Sequence, residues 1–357
     1  MVEQMSKQDL ALFKKVVSKQ LGSDIFNYKS EVERISTGSL KLDDFIGSIV
    51  SGTLIEVYGS ESCGKSTLAS IISATAQKNS DKAVGILDVE HVWNHEYAKK
   101  YGLNYSDDKL IFVQPNSGED ALALAEKMLE SGLFKIVILD SVAAMLTKKQ
   151  LSGDIGDATI GELARLMSVS LPKINRAASS TGSIMIFINQ TRSAIGTYSP
   201  TGNATSTPGG KALKFFCSLR LELKKRDFIV SGVETIGQEI RVNVKKNKFG
   251  RNNGYVDVNL YYNHGFKLED EIVDLCKSKG IIEARGAWIF YKDLKWNGSK
   301  ALIEAVKNDK TLFLMLLSEY EELAEKERNS VSIEVLTSAE DNDDIEADEE
   351  DIGGLDE

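Results

Sequence analysis

Residues 54–67 run Leu54-Ile55-Glu56-Val57-Tyr58-Gly59-Ser60-Glu61-Ser62-Cys63-Gly64-Lys65-Ser66-Thr67. An apolar, β-branched run stops at a glycine, a small polar loop follows, and a helical pattern opens at Thr67. That is G-x-x-x-x-G-K-[ST] with a strand before it and a helix after it, the setting in which the motif has meaning. Gly59 and Gly64 let successive backbone N–H groups turn into one concavity, a nest for phosphate oxygens. The helix that starts near Lys65 adds its N-terminal partial positive charge. Lys65 is placed to meet the outer phosphates, and the Ser66 hydroxyl to ligate Mg²⁺.

Reading outward, short apolar runs bounded by turns alternate with helical stretches. The helix after the loop (67–78) leads to the strand 84–90, and 110–114 is a further strand. Helix 119–130 precedes the strongly apolar strand 135–140. A helix over 158–178 contains Pro172, which is expected to kink or split it. The strand 183–188 ends in Asn189-Gln190. This alternation implies a parallel α/β sheet. From Cys217 onward the pattern changes to strict alternation, which predicts antiparallel strands at one edge of the sheet.

In open α/β sheets ligands sit beyond the carboxyl ends of the strands, and three polar residues end apolar strands here. Asp140 is placed to hold Mg²⁺, and Glu90 to polarise an attacking water. Gln190 is placed to sense the outermost phosphate; an ordinary polar strand cap is the other reading of each.

The 43 basic and 53 acidic residues give a net charge of −10. Eleven of those acids, and no base, lie in residues 338–357, which leaves 42 acids against 43 bases in the rest. The body is thus neutral, and one acidic tail, disordered by composition, carries the deficit. No apolar run reaches membrane-spanning length and no signal peptide opens the chain, so a cytoplasmic location and no membrane partner are expected. Three scattered cysteines form no disulfide framework and three histidines no zinc site. Residues 1–32 read as a helical arm too short to be a domain. Residues 33–268 form the core, 269–330 a small α+β module, and 331–357 the tail.

Taken together these stretches closely resemble the RecA recombinase family. The phrases STGSLKLD (36–43), EVYGSESCGKST (56–67), LDVEH (87–91), ILDSVAA (138–144), GDIGD (153–157), IFINQTR (186–192), PGGKALKFF (208–216), VKKNKFG (244–250) and ARGAWIFY (284–291) occur in the family's order. The resemblance implies a RecA-like α/β ATPase core with an N-terminal oligomerisation arm and a small C-terminal domain. It implies an ATP-dependent recombinase that polymerises as a helical filament on single-stranded DNA and exchanges strands with homologous duplex DNA. Single-strand-binding and mediator proteins are implied as further partners.

Residue by residue, Lys65, Ser66 and Thr67 match the phosphate loop, Glu90 the catalytic glutamate and Asp140 the Walker-B aspartate. Gln190 matches the residue that links the γ-phosphate to DNA, and Tyr97 the aromatic that stacks on adenine. Lys246 and Lys248 match a pair that reaches the neighbouring subunit's ATP, and Phe215 an interface residue. Two glycine-rich segments, about 150–160 and 191–210, match the DNA-binding loops. Ile155, Gly156, Ile160 and the adjoining Arg165 belong to the first. Arg192, Ile195, Gly196, Tyr198, Gly209 and Gly210 belong to the second.

Some positions depart from the family. The second loop is slightly longer, Tyr198 is aromatic where the family often is not, and Asn94 replaces an acid near adenine. Cys63 replaces a small hydroxyl residue. It is either a tolerated small side chain or a thiol whose pKa the helix N-terminus lowers, making the ATPase oxidation-sensitive. A closed-ring ATPase and a non-hydrolysing DNA-binding protein are the competing classes. The lysine pair, the arm and the small module argue against the first, Glu90 and Asp140 against the second.

Overall fold

The computed structural model describes residues 7–21, 32–154, 161–193 and 205–340. Helix α1 (Lys7–Leu21) comes first, and a small ribbon of β1 (Arg34–Ile35) and β2 (Ile49–Val50) brackets α2 (Leu40–Ile46). The core then alternates through β3 (Leu54–Gly59), α3 (Lys65–Lys78), β4 (Ala83–Asp88), α4 (His95–Lys100), β5 (Leu110–Val113), α5 (Gly118–Glu130) and β6 (Phe134–Asp140). It continues with α6 (Lys148–Ser152), α7 (Glu162–Thr181), β7 (Ile184–Gln190), β8 (Arg192–Ser193), β9 (Thr205–Ser206) and α8 (Gly210–Phe216). Three long strands finish it: β10 (Leu219–Ser231), β11 (Glu234–Asn247) and β12 (Tyr255–Tyr261).

The main sheet has eight strands in the order β12-β11-β10-β3-β7-β6-β4-β5. Strands β10 through β5 run parallel, and β11 and β12 add antiparallel partners at one edge. Both expectations, parallel centre and antiparallel edge, hold. The central strands are mostly apolar because both faces are covered. Their alternation sorts side chains between two cores. Ile136, Ile138, Ile184 and Ile186 face the α3 side. Val137, Leu139, Met185 and Phe187 face α5 and α7.

Helix α7 begins later than expected and runs through Pro172 as one helix. Pro172 lies on the exposed side, so the backbone carbonyl that loses its donor faces water. Helix α1 exposes Leu10, Leu12, Phe13 and Val16, a face that the core of this subunit leaves uncovered.

The C-terminal module has its own core, in which Ile272, Val273, Ile289, Tyr291, Leu302 and Leu316 are buried. It is built from α9 (Leu268–Ser278), the sheet β13 (Glu283–Arg285), β14 (Trp288–Tyr291) and β15 (Leu294–Asn297), α10 (Ser299–Asn308) and α11 (Lys310–Glu340). Helix α11 runs to Glu340, past residue 331 where composition started the tail; the remaining tail residues lie outside the described residues. Among the described residues no helix is long and apolar enough to cross a membrane.

Candidate nucleotide site and nucleic-acid interface

The phosphate loop joins β3 to α3 as its glycines require. A Cβ on Gly59 would stand 2.3 Å from the Leu223 carbonyl oxygen and 2.7 Å from the Cys63 sulfur. Gly64 caps α3 at φ 92°, a left-handed conformation that suits glycine. Lys65 is nearly buried, and its Nζ donates to the Ser60 carbonyl at 2.6 Å, folded back across the loop.

Strands β3, β4, β6 and β7 bring the predicted polar ends together. The Ser66 hydroxyl donates to Asp140 Oδ2 at 2.7 Å. Burial pushes the Asp140 carboxyl up to about 6, against the Ser66 hydrogen bond, with Glu90 and Asp88 adding to the rise. Glu90 accepts from the Ser141 hydroxyl at 2.9 Å and from Gln190 Nε2 at 3.3 Å. The acid read as the base and the amide read as the sensor are therefore in contact.

A cleft of about 120 Å³ opens beside this cluster, lined in part by Ser66, Thr67, Asn94, Tyr97 and Asp140. Asn94 Oδ1 accepts the Tyr97 N–H at 2.9 Å, capping α4 and fixing the ring's origin.

The reading of Cys63 as a thiol whose pKa the helix N-terminus lowers does not hold. The side chain has no solvent exposure, and burial pushes its thiol up despite Lys65 Nζ at 4.0 Å. Desolvation of a thiolate outweighs the helix-terminal charge here.

Sequence reasoning missed several polar partners. Asp88 is buried and accepts from the backbone of Val92 and Trp93 and from Gln114 Nε2, which shapes the turn after Glu90. Ser141 orients Glu90. Asn189, Glu56 and Arg220 form a buried network at the base of the second loop. A carboxylate inside the apolar run 54–58 was the available signal, since a buried charge demands a partner.

Lys246 and Lys248 lie elsewhere. Lys246 on β11 is level with Arg220 of β10, and Arg220 with Glu56 of β3. Gly59 lies further along β3, and β11 is two strands over, so the two Cα atoms are about 14 Å apart at about 3.3 Å per residue and about 4.8 Å per strand. Lys246 Nζ instead donates to the carbonyls of Lys214 and Phe215 at 2.8 and 2.7 Å, closing the C-terminal end of α8. Burial and then the neighbouring Lys248 lower its pKa. Phe215 is 70% exposed, with both ammonium groups about 6 Å from its ring.

Of the residues matched to the DNA-binding loops, Arg165 is exposed in the first turns of α7. Gly209 and Gly210 have φ of 93° and 74° at the start of α8; a Cβ on Gly210 would stand 2.8 Å from that of Ala164. Their smallness serves close packing of α8 on α7 as well. Arg192 stands in β8, which pairs with β9 and closes the base of the second loop. Ile155, Gly156, Ile160, Ile195, Gly196 and Tyr198 lie outside the described residues.

Basic residues of the C-terminal module are held in ion pairs. Lys279, Arg285 and Lys292 pair with Glu327, Glu283 and Glu319.

Comparison with known proteins bears on all of this. The family model for the RecA N-terminal domain matches residues 4–267. "Protein RecA" of Caldanaerobacter subterraneus subsp. tengcongensis is 42% identical over 269 residues, covering 75% of this chain and 77% of the relative. The RecA proteins of Clostridium acetobutylicum and Bacillus pumilus are 39% and 38% identical over 293 and 330 residues, covering 82% and 90% of this chain and 81% and 93% of their own. The chain therefore belongs to the RecA family and is a DNA-dependent ATPase and recombinase.

Proposed function

We propose that ATP and Mg²⁺ are held at the seam between two subunits, with residues 59–67 on one side and Lys246 and Lys248 reaching in from the other. The donor set suits the ion: a hydroxyl and a carboxylate, Ser66 and Asp140, already within hydrogen-bond distance of each other. The loop suits the triphosphate, since Gly59 and Gly64 let it curl closely against Leu223, Ile240 and Leu260, where any side chain would clash. When bound, the ion would neutralise charge on the outer phosphates. The chain's own groups do the rest. Lys65 exchanges the Ser60 carbonyl for phosphate oxygens, Ser141 fixes the Glu90 carboxylate, and Glu90 orients water. Tyr97 offers its ring to adenine.

One observation carries the trans arrangement. Lys246 Nζ is held on the carbonyls of Lys214 and Phe215, away from its own loop, and Phe215 and both lysines stand together on an open face. A head-to-tail contact of this kind that does not close generates a helical filament. Nucleotide then favours the DNA-competent packing because only that packing lets both subunits touch the outer phosphate.

Subunit mixing tests it. Lys65→Ala and Lys246→Ala should each lose DNA-stimulated hydrolysis. An equimolar mixture should recover about a quarter of the wild-type rate, the fraction of seams with both intact halves in a random head-to-tail polymer. A mixture as inactive as its parts would refute the shared site.

The second loop, closed by β8 and β9, and the first, leading into α7 at Arg165, are placed to grip the single strand. The exposed α1 face is the arm that docks on the next subunit. The C-terminal module gathers duplex by displacing its weak surface ion pairs with phosphates, and the acidic tail competes for the same cations. This reading puts the protein in the cytoplasm, where single-strand-binding and mediator proteins act on the same strand.

A further inference from the structure

The second loop leaves the sheet at Gln190 and returns at Pro208, and something must hold its ends in register against the entropy of the span between them. The ribbon of β8 and β9 is two residues deep on each side. Beneath it lies one side chain that touches both ends. Asn189 has no solvent exposure. Its Nδ2 donates to the Pro208 carbonyl at 2.9 Å and to Glu56 Oε1 at 3.0 Å, and its Oδ1 accepts the Gln190 N–H at 2.9 Å. Two donated bonds and one accepted bond use most of what a carboxamide offers.

The network continues across the sheet. Glu56, also without exposure, stands on β3, the strand that ends in the phosphate loop. Its Oε2 accepts from Arg220 Nε at 2.6 Å, and the Arg220 guanidinium lies 4.9 Å from the centre of the Tyr58 ring. Arg220 in turn is the cross-strand partner of Lys246. The polar chain therefore runs from Arg220 on β10, past β3, to both ends of the loop. Through Gln190 it reaches Glu90. Burying an ion pair between β-strands gives little stability that apolar residues would not give as well, so fold maintenance is a weak reason for it.

We infer that Asn189 and Glu56 are positioning residues: they clamp the two ends of the second loop and set Gln190 against Glu90, and Arg220 anchors that clamp to β10. Neither residue needs to touch nucleotide or DNA. This rests on the reading of residues 191–210 as a DNA-binding segment.

The test is Asn189→Ala, which removes the clamp and leaves the phosphate loop intact. Hydrolysis is followed against rising oligo(dT), and binding of a fluorescent ATP analogue by the DNA-free protein is measured alongside. The half-saturating oligo(dT) concentration should rise about tenfold, the factor expected when a buried hydrogen-bond partner is removed. Analogue affinity should stay within about twofold, as expected for sites that do not share partners. Unchanged oligo(dT) response overturns the inference, and so does an equal loss of analogue binding, which marks a merely structural role. If Asn189→Ala does not fold, Glu56→Gln is judged by the same two readouts. Wild-type protein that ignores oligo(dT) would instead refute the DNA-binding reading of the loop.

Discussion

The two halves of the proposed nucleotide seam are built to opposite specifications. At the carboxyl ends of β3, β4, β6 and β7 the polar groups are already paired with one another, and Lys65, Asp140 and Ser141 are buried: Ser66 bonds Asp140, Ser141 and Gln190 bond Glu90, and Lys65 bonds Ser60. On the β10–β11 side, Phe215 is 70% exposed, and Lys246 rests on carbonyls of its own helix α8. The first half is preorganised within one chain, and the second waits for a neighbour. Preorganised dipoles suit chemistry, because no reorganisation is needed at the moment of reaction. Groups parked on weaker partners suit assembly, because they can exchange those partners when a second subunit arrives.

The comparison breaks first at Glu90. Glu90→Gln keeps the Ser141 and Gln190 contacts in reach but removes the base, so turnover should fall about 10²–10⁴-fold. Analogue binding should persist; turnover near wild type would show that the finished half lacks the chemistry assigned to it.

Lys246→Ala breaks the other half. DNA-stimulated turnover should fall on the order of 10²-fold, less than the loss of a GAP arginine because Lys248 remains. DNA-free subunits should bind the ATP analogue normally, since the residue does not reach its own loop. Weakened binding by isolated subunits would place Lys246 in the wrong half.

The C-terminal module serves as a control remote from both halves. Glu271 on α9 accepts from the Ser39 hydroxyl at 2.8 Å and from the Lys41 N–H at 3.4 Å, which joins the module to α2. Burial pushes its carboxyl up to about 7. The folded state thus holds this proton more tightly than the unfolded chain. The contribution is complete below about pH 4.5 and is lost as pH rises through about 7, amounting to about 3 kcal/mol. Urea unfolding followed by tryptophan fluorescence should show wild-type stability falling over that window and Glu271→Gln falling less steeply, with the raised Asp140 carboxyl still contributing. A Glu271→Gln slope equal to the wild-type slope would rule the residue out.

The smallest effect is expected from the tail. Removing residues 338–357 takes away eleven acids, and duplex capture at low salt should quicken about threefold by relief of electrostatic competition. Equal capture rates with and without the tail would leave it a solvating segment.

Much of the site was legible because its members end local patterns. Asp140 and Gln190 close apolar strands, Glu90 follows one, and Gly59 and Gly64 bracket a loop of fixed spacing. Pro172 does not split helix α7, because it lies on the exposed side, and periodicity does not say which side of a helix faces water. Cys63 was open to misjudgement for a related reason. Its neighbours in sequence suggest a helix-terminal thiolate, but Gly59 and the Leu223 strand close over it.

The sequence by itself determined the chemistry on offer and the class of fold, since spacing and periodicity are local and survive without coordinates. Tertiary structure decided which groups meet. Glu56 and Arg220 are 164 residues apart in the chain and 2.6 Å apart in space, and the register that joins them also carries Lys246 away from its own phosphate loop. Strand order and register depend on packing across the whole sheet, so no short stretch could have announced that Glu56, Asn189 and Arg220 meet.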